Sequence, residues 1–94
     1  MANGIQIFAG GVPVYRGNTL VGGIGISGDG IEQDDMIAFL GLHNAGARLG
    51  GAIGNAPQSI RADVLSPQGA RLRYVQCPQA PFLDSNETQV CEGK

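Results

Sequence analysis

The sequence predicts an α+β domain in which an antiparallel sheet of hairpins packs with one main helix. Three observations carry this expectation. "GVPVYR" at residues 11–16 and the run over residues 19–27 read as strands on either side of Gly17-Asn18, a two-residue hairpin signal. A helical pattern opening on carboxylates follows over residues 31–44. A second pair of strand-like stretches, residues 59–65 and 70–76, flanks the turn Ser66-Pro67-Gln68-Gly69.

In the first strand, a period of two sets Val12, Val14 and Arg16 on one face. The returning strand carries Leu20, Gly22, Ile24 and Ile26 on one side, and Val21, Gly23, Gly25 and Ser27 on the other. One side is apolar and the other nearly bare. Bare glycine faces occur where another backbone or a flat ligand approaches closely.

Gly28-Asp29-Gly30 ends that strand, and Asp29, Glu32, Asp34 and Asp35 crowd the helix start. Negative charge there complements the positive end of the helix dipole and caps it. Ile37, Leu40 and Asn44 form the stripe expected to meet the core, with Met36 and Phe39 beside it. His43 falls in the last turn, and residues 44–46 supply the stop. Residues 45–57, "AGARLGGAIGNAP", have no clear period and read as a loop lying over a surface. In the second hairpin Arg61, Arg71 and Arg73 share a face with Asp63, and a Pro-containing tail runs from Pro78.

With 94 residues the chain makes one small domain. A net charge of −2 and the lack of a basic run leave little to attract nucleic acid. The longest apolar run, residues 20–26, is too short to cross a bilayer. "MANGIQIF" at the N-terminus has neither a basic segment nor a long apolar one, so no signal peptide is expected in it. Two readings of Cys77 and Cys91 stand. A disulfide would close "PQAPFLDSNETQV" and restrain the tail by about 3 kcal/mol; otherwise both are surface thiols. The sequence leaves location open, though a bridge would suit an extracytoplasmic setting better than the cytoplasm. Asn86-Glu87-Thr88 is a glycosylation triplet, of consequence only in a eukaryotic secretory pathway.

Gly23-Ile24-Gly25-Ile26-Ser27-Gly28 is a literal G-x-G-x-x-G. A phosphate cradle needs its glycines in the turn between a strand and a helix whose amide end meets the anion. Here the first two glycines fall inside the strand, and four carboxylates surround the helix start. They would repel a phosphate, no Lys or Arg stands nearby in sequence, and there is no P-loop lysine. The expected meaning is structural.

For ligands, His43 is the one histidine and Met36 the one other candidate for an iron. Each also has a plain explanation, as a helix C-terminal residue and as core filler. Asp29, Glu32 and Asp35 are the candidate oxygen ligands for Ca²⁺ or Mg²⁺, without EF-hand spacing. Ser27, His43 and an acid are the nearest approach to a hydrolytic set, and nothing in their spacing supports it. The expectation is a module that is not an enzyme. Arg61, Arg71 and Arg73 are able to grip a carboxylate, or to pair with Asp63 on a solvated face.

Residues 10–35, "GGVPVYRGNTLVGGIGISGDGIEQDD", resemble the second half of GlcG/HbpS-type domains. Gly10-Gly11-Val12-Pro13, Leu20-Val21-Gly22, Ile24-Gly25-Ile26-Ser27-Gly28 and Glu32-Gln33-Asp34 match the family's order of hairpin, glycines and helix-opening acids. The likeness covers about residues 8–44, and the "IRAD" and "RLRY" stretches look like a C-terminal extension. It divides the chain into a hairpin–helix half-domain, residues 1–46, and an extension with a second hairpin and tail, residues 47–94.

The resemblance implies an α+β fold and a non-catalytic module with haem or another tetrapyrrole as ligand. The alternative is a structural or oligomerisation module, part of a longer protein, that binds no small molecule. The family domain opens with a further helix-and-strand half that this sequence lacks. In members that bind haem the iron ligand is generally placed in that half, so the resemblance assigns it to no residue here. A half-domain exposes one side of its hairpin. A homo-oligomer, or a partner chain supplying the missing half, would complete it.

Overall fold

A computed structural model describes residues 9–94 of the chain; the expectation for the N-terminal "MANGIQIF" lies outside these residues. The element order is β1 (Gly11–Arg16), β2 (Thr19–Gly25) and α1 (Ile31–Arg48), then three short 3-10 turns at Gln58–Ile60, Ala62–Val64 and Pro67–Gly69. The arrangement is α+β: β1 and β2 form a two-stranded antiparallel sheet with α1 against it. At the hairpin tip Gly17 has φ +59, which glycine adopts at little cost at the first central position of a tight turn.

The core is where the sheet meets the helix. Val12 of β1 and Ala38, Phe39 and Leu42 of α1 are buried together, with Val14, Ile24, Ile26 and Ile53 packed against them. The buried helix face runs through Asp35, Ala38, Phe39, Leu42 and Gly46, at intervals of three and four. It is rotated from the expected stripe, since Ile37 and Asn44 are exposed and Leu40 is half-buried. The displacement has a physical cause. Counting apolar residues puts Asp35 outside, but two backbone amides satisfy its carboxylate and so allow it to be buried.

Two other sequence expectations shift locally. The ladder is irregular between Val14 and Tyr15, so Leu20 lies opposite Tyr15 while Gly22 lies opposite Val14. Leu20 thereby leaves the apolar face it was expected to share with Ile24, and is 60% exposed. The helix also runs past residues 44–46 to Arg48. Gly46 lies inside it and stops nothing; a Cβ there would run into the Ile53 carbonyl. Gly50 and Gly51, at φ +68 and +85, take the left-handed backbone that ends the helix.

Among the described residues nothing lies near the missing Cβ of Gly22 or Gly25. Close approach occurs instead at Gly10. Its φ is +113, and a Cβ there would strike the Ile26 carbonyl. Gly10 in turn accepts the Ile26 N–H at 2.9 Å, extending the hairpin beyond its last named pair.

The second hairpin is absent. Residues 59–65 coil through two 3-10 turns, and residues 70–76 form no ladder; the turn at 66–69 is present. Ile60, Val64, Leu65 and Leu72 stay exposed, so the alternation there has no apolar face to bury. Arg61 instead folds back onto Asp63 two residues on. The loop over 49–57 does lie on a surface. Gly54 exchanges two 2.8 Å backbone bonds with Tyr15, on the side of β1 away from β2. Among the described residues β2 has no partner on its outer edge. No helix among them is long and apolar enough to cross a membrane.

Candidate ligand clefts

The extension is fastened to the helix by one carboxylate. Asp35 Oδ1 accepts the Gly10 N–H at 2.8 Å, and Oδ2 accepts the Gln76 N–H at 2.8 Å. A buried carboxylate holding two amides ties the start of β1, the helix and residues 74–77 into one unit. The neighbouring acids act locally. Asp34 accepts the Asp29 N–H at 3.1 Å, and Asp29 accepts the Gly30 N–H at 2.9 Å. No side chain caps the helix, whose N-cap is Gly30. Asp29 and Asp34 thus organise the approach to the helix through backbone amides, and Glu32 stands exposed in its first turn.

Beside this tie Arg61 is 8% exposed, a cation that must be paired to be buried. Its Nε and Nη2 donate to the two carboxylate oxygens of Asp63 at 3.1 and 3.3 Å, and its Nη1 donates to the Lys94 carbonyl at 3.1 Å. The guanidinium carbon lies 5.5 Å from the centre of the Tyr74 ring. Tyr74 meets Phe39 edge to face at 6.2 Å. Its hydroxyl accepts the Ala56 N–H at 3.4 Å. Burial pushes the Tyr74 phenol above its ordinary value, against the pull of the Ala56 N–H and Arg61.

Arg61 lines two clefts. The larger, about 880 Å³, is lined by Arg71, Arg73, Tyr74, Glu92 and both cysteines. The smaller, about 570 Å³, is lined by His43, Gly46, Ile53, Asn55 and Ala56. Cys77 and Cys91 form a disulfide with Cα atoms 6.1 Å apart, which joins the wall at 74–77 to the wall at 89–93. Arg71 Nε donates to the Asp63 carbonyl at 3.1 Å, but its side chain is exposed, where such pairs contribute little. Arg61 and Arg71 thus pair with Asp63, while Arg73 keeps an exposed place on the cleft.

The clefts sort the candidate residues. His43 is half-buried and lines the smaller one; Met36 is buried and lines neither. The two stand seven residues apart on one helix, a rise of about 10 Å, so they do not face each other across one flat ring. Asp29, Glu32 and Asp35 are not gathered around one position among the described residues. Both Asp35 oxygens already hold backbone amides, and among the described residues no three His, Cys, Asp or Glu side chains group around a metal position. Ser27 is exposed and lines neither cleft.

Sequence reasoning passed over Asn55. Its Nδ2 donates to the Phe39 carbonyl at 3.2 Å, and its Oδ1 is buried without a hydrogen-bond partner among the described residues. In the sequence it stands between glycine and Ala-Pro, where an asparagine signals a turn and nothing more.

No curated protein and no solved structure matches the chain. A family model does, and its match ends at His43, five residues before the helix does. Over residues 1–43 the chain is similar to the family described as haem degrading protein HbpS-like.

Proposed function

We propose that the chain is a non-catalytic ligand-binding module whose ligand is haem or another tetrapyrrole. The observation that carries this reading is the family match over residues 1–43. Two features of the clefts support it. Their volumes, about 570 and 880 Å³, lie in the range of small-molecule and cofactor sites. Their polar groups also suit the class: one imidazole, His43, lies in the smaller cleft, and Arg71 and Arg73 line the adjoining one. A haem would bring an iron that accepts an imidazole and propionates that accept guanidinium bonds. His43 would serve the first and Arg71 or Arg73 the second; Met36, buried elsewhere, would serve neither.

Hemin titration followed through the Soret band tests the reading. The expected result is a saturable shift at one hemin per chain that is lost in His43→Ala. No saturable shift would overturn haem binding, and an unchanged titration in the variant would remove His43 from it.

One observation favours a second reading, a structural module completed by another chain. The outer edge of β2 is unpaired among the described residues, and Leu20 and Val21 on it are exposed. A second copy, or a partner chain, would extend the sheet there. Light scattering behind size exclusion is expected to show a mass above that of one 9.7 kDa chain, and a clean monomer would count against it. The disulfide fits an oxidising, extracytoplasmic setting for either reading.

A further inference from the structure

The tail carries a modification signal that neither functional reading uses. In Asp84-Ser85-Asn86-Glu87-Thr88 an acid stands two residues before the triplet Asn86-Glu87-Thr88. Each position has a chemical part in the transfer of a glycan to asparagine. The Thr88 hydroxyl is the group by which an oligosaccharyltransferase holds its acceptor. Neither Ser85 nor Glu87 is proline, so the backbone on both sides of Asn86 is free to bend into such a site. Asp84 offers a carboxylate to a cationic side chain of the transferase. Bacterial oligosaccharyltransferases of one class require that acid, so the signal is not confined to a eukaryotic secretory pathway.

The structure presents all of these groups outward. Asp84, Asn86 and Thr88 are exposed, and residues 85–89 are neither helix nor strand. Leu83, three residues before the asparagine, is fully exposed, so the segment stands clear of the body. Among the described residues one hydrogen bond touches residues 86–88, from the Glu87 N–H to Ser85 Oγ at 3.0 Å. It is exposed, and water replaces such a bond at little cost, which leaves the backbone able to open onto an enzyme. The base of the loop is fastened, since Pro78 and Val90 are buried next to the Cys77–Cys91 bridge. Asn86 and Thr88 line neither cleft, so a glycan there would leave both in place. The bridge suits the same oxidising, extracytoplasmic side of a membrane on which lipid-linked glycans are transferred.

We propose that Asn86 is an N-glycosylation site, the acceptor for an oligosaccharide carried on a polyisoprenyl diphosphate. Asn86 Nδ2 attacks the anomeric carbon of the first sugar. A carbon–nitrogen glycosidic bond forms, and the bond from that carbon to the diphosphate oxygen breaks. Polyisoprenyl diphosphate leaves with the electron pair, and the proton lost by Nδ2 passes to a carboxylate of the transferase. Nothing is oxidised or reduced. Asp84 and Thr88 position the acceptor, and none of this depends on what the clefts bind.

The test incubates the intact, oxidised chain with a purified bacterial oligosaccharyltransferase of the acid-requiring class and its lipid-linked oligosaccharide. Intact-mass and peptide mass spectrometry read the product. The expected result is one glycan per chain, on Asn86, with none in Asn86→Gln or Thr88→Ala. In Asp84→Ala the rate is expected to fall roughly tenfold or more, as for loss of a charge-assisted bond. All three positions are exposed, so thermal melts of the variants are expected to match the wild type and to show that the losses are not unfolding. No glycan on the folded chain would overturn the proposal. So would a glycan that appears only after the Cys77–Cys91 bridge is reduced, since the folded loop would then be withholding Asn86. An unchanged rate in Asp84→Ala would overturn the part given to the acid.

Discussion

Asp35 and Gln76 are joined by a 2.8 Å hydrogen bond across 41 residues of chain, from a buried carboxylate on the helix to a backbone amide of the extension. The same carboxylate holds Gly10, so one side chain couples the hairpin–helix unit to the wall of the larger cleft. Asp35→Asn keeps the shape but turns an NH₂ toward one of the two N–H donors. The variant is expected to lose about 2–4 kcal/mol in chemical denaturation. Glu32→Gln, at an exposed position one turn away, is expected to stay within about 0.5 kcal/mol. Equal effects would show that Asp35 is not the fastening.

Gly10→Ala combines a left-handed φ of +113 with a collision against the Ile26 carbonyl. A loss of about 2 kcal/mol or more is expected. Gly25→Ala is the control, in the same hairpin with nothing among the described residues within 4 Å of the new methyl. It is expected to be neutral, or stabilising by up to about 1 kcal/mol. Thermal melts of both variants compare them directly. A mild Gly10→Ala would mean that the hairpin start is looser than its bond to Ile26 indicates.

Cys77 and Cys91 close a loop of sequence separation 14, so opening the bridge frees the tail by about 3 kcal/mol of chain entropy. Cys77→Ser with Cys91→Ser is expected to melt lower by that amount. It is also expected to raise hydrogen exchange across residues 89–93 while the helix stays protected. Uniform loss of protection along the chain would contradict a tie confined to the cleft wall.

Tyr74 makes stability depend on alkaline pH. Burial raises its phenol above the ordinary value of 10.0, so the fold favours the protonated form. That contribution is complete below pH 10 and is lost as pH rises through the higher folded value. In a Tyr15→Phe background Tyr74 is the one remaining tyrosine, and its phenolate absorbance is expected to appear above 10.0 with concurrent loss of stability. Titration at or below the ordinary value would mean that the ring is not buried against Phe39 and Arg61.

The hairpin and helix were legible because both are written in short-range patterns: Gly17-Asn18 between alternating strands, and acids before a helical run. The helix orientation was not, because the buried position of Asp35 depends on the amides of Gly10 and Gln76, 25 and 41 residues away. The stretch over 59–76 misled for a related reason. Its alternation looks like strand, yet the Arg61–Asp63 pair and the ring of Tyr74 set its path. His43 was legible as a candidate by being the one imidazole. Asn55 was not, since only the carbonyl of Phe39 turns a loop asparagine into a fixed acceptor.

The central claim is that the HbpS-like segment and the extension build one ligand site between them. Amide shift mapping with a diamagnetic gallium protoporphyrin tests it most directly. Saturable shifts are expected on both sides together, at His43 on the helix and at Asn55, Arg73 and Tyr74 on the extension. Shifts confined to the exposed edge of β2, or none at equimolar ligand, would contradict it.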